Sequence, residues 1–255
     1  MWDCPNFLEL PDREQSPRSR GLSHVLDKGM PPDALAAVLA QAGHLIDVIK
    51  IGWGIAYVDP TVKARVALCA EAGVLVCLGG TLLEVCEAQG RVEDLRRWAT
   101  SVGIGALEVS DGLQAMTSAR KTELIRQLST DFTVLAETGA KDGHAPVVTE
   151  DWLVDLAADL DAGAEWVVAE GRESGTVGLY RDDGSVRADL VDAIAERIPV
   201  DRVIFEAPSK AQQTWFIQRF GAGVNLGNVA MDEVLPLETL RLGLRADTAL
   251  TGVQV

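Results

Sequence analysis

Eight short runs rich in Val, Ile and Leu recur along the chain. Each ends in a polar or charged cluster and is followed by a stretch with apolar residues at helical spacing. The runs cover residues 21–27, 45–51, 74–78, 106–110, 133–137, 166–170, 203–206 and 224–226. They are too uniformly apolar for a sheet that wets one face, which predicts parallel strands covered on both sides. The intervening patterns predict helices over 32–42, 60–72, 82–88, 92–102, 118–128, 150–162, 188–197, 211–220 and 232–242. Paired prolines open the first of these, and Asp59 stands where an N-cap of the second would be. The unit repeats about every 30 residues, the length of one βα element. The expected fold is α/β, a single (β/α)8 TIM barrel spanning 21–255, with residues 1–20 as an N-terminal arm that packs across the barrel bottom or reaches a neighbouring subunit.

Chemistry in such a barrel sits at the C-terminal ends of the strands. Those ends carry Asp27 and Lys28, Lys50, Thr81, Glu108 with Asp111, Glu137 with Lys141, Glu170 with Arg172, Glu206, and Asn225 with Asn228. Of six lysines, four (Lys28, Lys50, Lys141, Lys210) fall at or just beyond a strand end, which suits a small anionic substrate. A buried Lys50 must be paired or bound to an anion to keep its charge. Lys28 can meet a phosphate or carboxylate, and Asp27 can ligate a metal or hold Lys28; the alternative for this DKG segment is a turn, with Asp27 capping and Gly29 supplying the positive φ. Gly79, Gly80 and Thr81 stand at a helix start, where free N–H groups either cradle an anion or form only a tight turn. Arg172 and Ser174 add polar groups after strand six, and Asn225 and Asn228 after strand eight resemble a phosphate-gripping loop.

Four successive strands end in an acid: Glu108, Glu137, Glu170 and Glu206. Empty of cations they would repel one another, so a metal or basic side chains must neutralise them. Three scattered histidines argue against zinc or iron, so a metal here would be Mg²⁺ on carboxylates, with Asp27, Glu137, Glu170 and Glu206 as candidate ligands; the alternative is a purely structural ring of ion pairs. The net charge of −15 disfavours nucleic acid and anionic membranes as partners. Four cysteines without CxxC spacing, no signal peptide and no long apolar span predict a cytoplasmic protein with reduced thiols. Two long loops, 141–149 and 171–187, leave strand ends as lids often do.

The motifs RGLSHVLDKG, KIGWG, GGTLLE, EVSDG, ETGAK, EGRESG, FEAPSKAQQ, VNLGN and LETLRLGLRADT, in this order from Arg20 to Thr248, resemble the phosphosulfolactate synthase family, which has plant heat-stress-associated relatives. The resemblance implies a Mg²⁺-dependent Michael addition of sulfite to phosphoenolpyruvate, giving (2R)-phospho-3-sulfolactate for coenzyme M biosynthesis, by a homo-oligomeric lyase. It implies Lys141 as general acid, with Lys50, Lys28 and Glu108 as its catalytic companions. Four positions depart from the family pattern: His24 replaces a small or aliphatic residue, Ile55 and Leu113 replace hydroxyl residues, and Ala140 replaces a lysine. These leave two alternatives open, a different nucleophile acting on an enol phosphate and a non-catalytic stress-associated protein.

Overall fold

A computed structural model describes residue 5 and residues 7–113, 116–139 and 147–249. Eight parallel strands close into a barrel in chain order, β1 returning to pair with β8. They are β1 (Ser23–Asp27), β2 (Val48–Ile51), β3 (Leu75–Leu78), β4 (Ala106–Val109), β5 (Thr133–Thr138), β6 (Trp166–Ala169), β7 (Val203–Glu206) and β8 (Asn225–Ala230). The helices are α1 (Pro32–Ala42), α2 (Ile55–Val58), α3 (Val62–Glu71), α4 (Gly80–Ala88), α5 (Val92–Val102), α6 (Ser118–Leu128), α7 (Thr149–Asp161), α8 (Ala188–Arg197), α9 (Lys210–Phe220) and α10 (Val234–Arg241).

The strands read as uniformly apolar because both their faces are covered, yet the two faces differ. Odd-numbered positions of β2 and β4, such as Ile49, Ile51, Leu107 and Val109, pack outward against the helices. The alternate positions Val48, Cys77, Ala106, Leu135, Val168 and Ile204 fill the barrel interior. Side chains alternate across a strand with period two. One step further along the inward face therefore come Lys50, Glu108, Glu137, Glu170 and Glu206, stacked over an apolar plug. The outer layer is tied to the helices by ring contacts such as Phe205 with Phe216, centroids 4.8 Å apart.

The arm crosses the barrel bottom. Arg13 Nε lies 3.1 Å from Glu238 Oε1, and Arg18 Nη1 donates to both carboxylate oxygens of Asp47 at 3.1 Å. Asp59 does not cap α3: it lies two residues before the Thr61 N-cap, accepts the Thr61 N–H at 2.8 Å and pairs with Arg65 at 2.5 Å. Strand β8 runs to Ala230, beyond the expected residue 226, because its Asn-Gly-Asn sequence carries little strand propensity and is held by its neighbours instead. Among the described residues no helix is long and apolar enough to cross a membrane.

Candidate active site

Lys50, on the inward face of β2, is the hub of the mouth. Its Nζ lies 3.0 Å from Glu108 Oε2, 3.0 Å from Glu206 Oε1 and 3.9 Å from Glu137 Oε2. Burial alone would lower the Lys50 pKa. Glu108, Glu206 and Glu137 outweigh it and hold the ammonium well above its ordinary range. The remaining oxygens of two of these acids take backbone donors. Glu108 Oε1 accepts the Gly80 N–H at the start of α4, at 2.9 Å, and Glu206 Oε2 accepts the Gly171 and Arg172 N–H groups at 2.9 and 2.8 Å. Such charge-assisted bonds are the stronger class, so Lys50, Glu108 and Glu206 form a rigid unit. Gly80 permits this approach, because a Cβ there would collide with Ser110.

Glu137 is placed differently. Burial, then the charges of Glu108, Glu170 and Glu206, push its carboxyl well above the ordinary range against the opposing pull of Lys50. Glu170 faces Arg172, whose Nε stands 3.7 Å from Glu170 Oε1 and whose backbone is turned to φ +55°. These residues line a cavity of about 280 Å³ together with Leu26, Gly52, Trp53, Gly79, Gly80, Thr81, Leu113, Glu173 and Asn228.

The structure thus gathers Lys50, Glu108, Glu137, Glu170, Arg172, Glu206, Gly79, Gly80, Thr81 and Asn228 in one cavity. Four other expected residues stand elsewhere. Asp27 has odd parity on β1 and points outward: its Oδ1 accepts the Gly29 and Met30 N–H groups and its Oδ2 pairs with Arg65 of α3. The turn reading of this segment holds, with Gly29 at φ +98°. Lys28 is exposed and borders a neighbouring groove with Met30 and Met231. Asn225 sits at the opening, lower end of β8, where its amide bonds Leu22 N–H at 2.9 Å and the carbonyls of Asp201 and Val203 at 2.9 and 3.1 Å. Ser174 is exposed, its Oγ 3.0 Å from Thr176 Oγ1. Lys141 and Ala140 lie outside the described residues. Lys210 pairs with Asp247 at 3.0 Å.

Loop 171–187 is hydrogen-bonded to the barrel at several points. Leu179 N–H bonds the Glu170 carbonyl at 2.9 Å, the Tyr180 hydroxyl donates to the Glu206 carbonyl, and Gln212 Nε2 donates to the Gly175 carbonyl at 2.9 Å. Sequence reasoning passed over Tyr180 and three buried charges that shape the mouth. Lys121 Nζ donates to the Glu137 carbonyl at 2.8 Å and to Asp159 Oδ2 at 2.6 Å; Arg65 holds Asp27; Glu84 accepts the Leu113 N–H at 2.7 Å. A signal existed. Lys121 shares the apolar helix face of Leu124, Ile125 and Leu128, and Arg65 that of Val62, Val66 and Cys69. A charge on an apolar face requires a buried partner.

Comparison with known proteins follows this geometry. Residues 11–247 match the model of the family described as (2R)-phospho-3-sulfolactate synthase (ComA). The chain belongs to that family. It is 39% identical over 244 residues to the phosphosulfolactate synthase of Bacillus subtilis (strain 168), covering 94% of this chain and 97% of the relative. It is 41% identical over 235 residues to the phosphosulfolactate synthase of Methanocaldococcus jannaschii, covering 90% and 94%. Both names denote enzymes of the lyase kind. Among solved structures, 3-hexulose-6-phosphate synthase superposes with a TM-score of 0.54 at 12% identity, over 86% of this chain and 98% of that one, a likeness of fold.

A metal ion in this mouth must meet the donors present. Among the described residues no group of three or more His, Cys, Asp or Glu side chains is arranged to hold one. Mg²⁺ does not require such a cage, because it is usually held by one or two carboxylates together with waters and substrate oxygens. The donor set fits in chemistry and charge: four glutamates against Lys50 and Arg172, all carboxylate oxygen, with Glu137 destabilised as an anion.

Proposed function

We propose that this family member adds sulfite to phosphoenolpyruvate with Mg²⁺, forming (2R)-phospho-3-sulfolactate. The observation that carries the reading is the charge of the cavity, where four inward glutamates face Lys50 and Arg172. As folded it disfavours a polyanion, and a divalent cation would offset that excess of negative charge. A bound Mg²⁺ would stabilise negative charge on the substrate carboxylate. Glu137, which burial and the neighbouring acids destabilise as an anion, is the ring member to hold it, with Glu170 beside it in the cavity.

The chain's own residues then do the rest. Arg172 takes an anionic end of the substrate, with Gly79, Gly80 and Thr81 lining the wall beside it, the Gly79 and Gly80 N–H groups being already donated to the Ile51 carbonyl and to Glu108 Oε1. Sulfite forms a C–S bond at C3, the C2=C3 π electrons move onto C2 and its carboxylate, and Lys141 delivers a proton to C2. Loop 171–187, tied to the barrel by its hydrogen bonds, supplies the part of the cavity wall that carries Arg172 and Glu173.

A second reading, another nucleophile on the same enol phosphate, is favoured by Leu113, an apolar side chain in the cavity wall where the family pattern has a hydroxyl. Calorimetry with phosphoenolpyruvate, run with Mg²⁺ and again in chelator, tests the substrate half. Metal-dependent affinity is expected, and equal binding under chelation removes the metal from the reading. Sulfite consumption by the loaded protein tests the other half, and its absence in a protein that binds phosphoenolpyruvate selects the second reading.

A further inference from the structure

Strand β8 carries one residue more than β1 can pair. Ser23 lies opposite Leu226 but Val25 lies opposite Val229, so His24 alone faces both Gly227 and Asn228. A bulge of this kind removes a backbone N–H from the ladder and re-aims a side chain. Here Asn228 takes φ +53°, and the residue lines the cavity although it is only 6% exposed. The N–H released by the bulge is taken by His24 Nδ1 in a long bond of 3.5 Å. Gly227 makes room for the ring, since a Cβ there would come within 3.1 Å of Nδ1 and 2.9 Å of Ile204 Cγ2.

Two buried polar atoms of this pair have no hydrogen-bond partner among the described residues: Asn228 Oδ1 and His24 Nε2. A buried polar atom left unpaired in a folded protein calls for an explanation. Asn228 lines the cavity, so of the pair it is the residue that a molecule from solution can meet.

The geometry points to a two-residue device, in which Asn228 contacts the bound substrate through its side-chain amide and His24 is the positioning residue that holds the bulge aiming it. This rests on the reading of the cavity as the site for a small phosphorylated carboxylate. Toward an anionic oxygen the amide presents its NH₂ end, and toward a hydroxyl or water its oxygen. His24 accepts through Nδ1 only as a neutral ring protonated at Nε2. Burial, and after it the Lys50 ammonium, keep that ring well below its ordinary pKa. His24 is also where this chain departs from the family pattern of small or aliphatic residues.

The test has a part that needs no substrate. With histidine ¹⁵N-labelled, the chain's three histidines give few signals, and His24→Leu assigns the one that matters. A neutral ring with bare Nδ1 and protonated Nε2 is expected; a proton on Nδ1 overturns the proposal. In the second part, dissociation constants for phosphoenolpyruvate with Mg²⁺ are measured for the wild type, Asn228→Ala, His24→Leu, His24→Asn and the His24→Leu/Asn228→Ala pair. Each of the first two substitutions should weaken binding about tenfold, the scale of one hydrogen bond to a charged ligand. The pair should be no weaker than Asn228→Ala alone, and His24→Asn, which retains an acceptor at the δ position, should recover most of the loss. Multiplying losses in the pair, about a hundredfold, would show independent structural effects and overturn the positioning role. Unchanged binding by Asn228→Ala overturns the contact. A wild type that ignores phosphoenolpyruvate refutes the substrate assignment, while the nitrogen spectrum still decides whether His24 holds the bulge.

Discussion

Lys50→Met removes the ammonium at the centre of the mouth and keeps most of the apolar stem that crosses the barrel. It strands Glu108 and Glu206, whose side chains are 4% and 1% exposed and whose oxygens stood 3.0 Å from Nζ. Removing one partner of a buried ion pair costs about 3–5 kcal/mol, because the other charge stays behind unpaid for by water. Two carboxylates are stranded here, which argues for the upper figure. Against it, Glu108 keeps one backbone N–H bond and Glu206 keeps two. A loss of about 3 kcal/mol at pH 7 is the expected balance. For a chain of this size each kcal/mol moves Tm by roughly 2–4 °C, so a drop of about 6–12 °C should appear in a calorimetric or circular-dichroism melt.

The pH dependence gives the sharper check. In the wild type the folded Lys50 pKa lies above the ordinary 10.5, so its contribution is complete at every pH below that value and is lost only as pH rises through the folded pKa. Between pH 5 and 8 the wild-type contribution is therefore constant. In the variant Glu137 loses the Lys50 ammonium that opposes the rise of its pKa, so it holds its proton to higher pH and the repulsion in the ring eases as pH falls. The Tm gap should narrow from pH 8 to pH 5. A gap under about 2 °C at pH 7, or one that widens toward pH 5, would show that the lysine is not what neutralises this ring.

Glu137→Gln should act in the opposite sense. Burial and then Glu108, Glu170 and Glu206 raise the Glu137 pKa well above 4.5, so the folded protein holds that proton more tightly than the unfolded chain. Ionising it costs stability progressively as pH rises from 4.5 to the raised value, so the metal-free variant should melt above the wild type at pH 8 and level with it at pH 4. The same Tm difference at both values would refute the assignment. For Lys141→Ala, turnover should fall by roughly 10²-fold with phosphoenolpyruvate binding largely kept, and a fall confined to binding would remove Lys141 as the general acid.

The barrel was legible because its repeat is physical: a strand covered on both faces must be apolar throughout, and a helix must follow it before the next parallel strand. The acidic ring was legible for the same reason, since Glu108, Glu137, Glu170 and Glu206 each stand at the end of such a run, and all four line the cavity. Parity was the information left unused. Counting by twos from Leu22 puts His24 and Leu26 inside and Asp27 outside, where Arg65 meets it. Asn225 needed the other coordinate, height along the strand: β8 begins at Asn225, so that residue belongs to the barrel bottom. The bulge that aims Asn228 depends on pairing between β1 and β8, at opposite ends of the sequence, and no local pattern announces it.

The four glutamates divide by what already surrounds them. Glu108 and Glu206 each accept Lys50 on one oxygen and backbone N–H groups on the other, so they behave as parts of the frame and fix the lysine's height in the barrel. Glu137 is held from behind instead: Lys121 Nζ donates to its carbonyl, and its carboxyl, 3.9 Å from the Lys50 ammonium, faces the other acids. A fold selected for stability alone would replace so poorly compensated an acid, since a buried charge without close partners is costly. Its retention beside Glu170 and Arg172 makes sense if the missing compensation arrives with the ligand. On that argument the same residue that weakens the empty barrel is the one that makes substrate binding conditional on a cation.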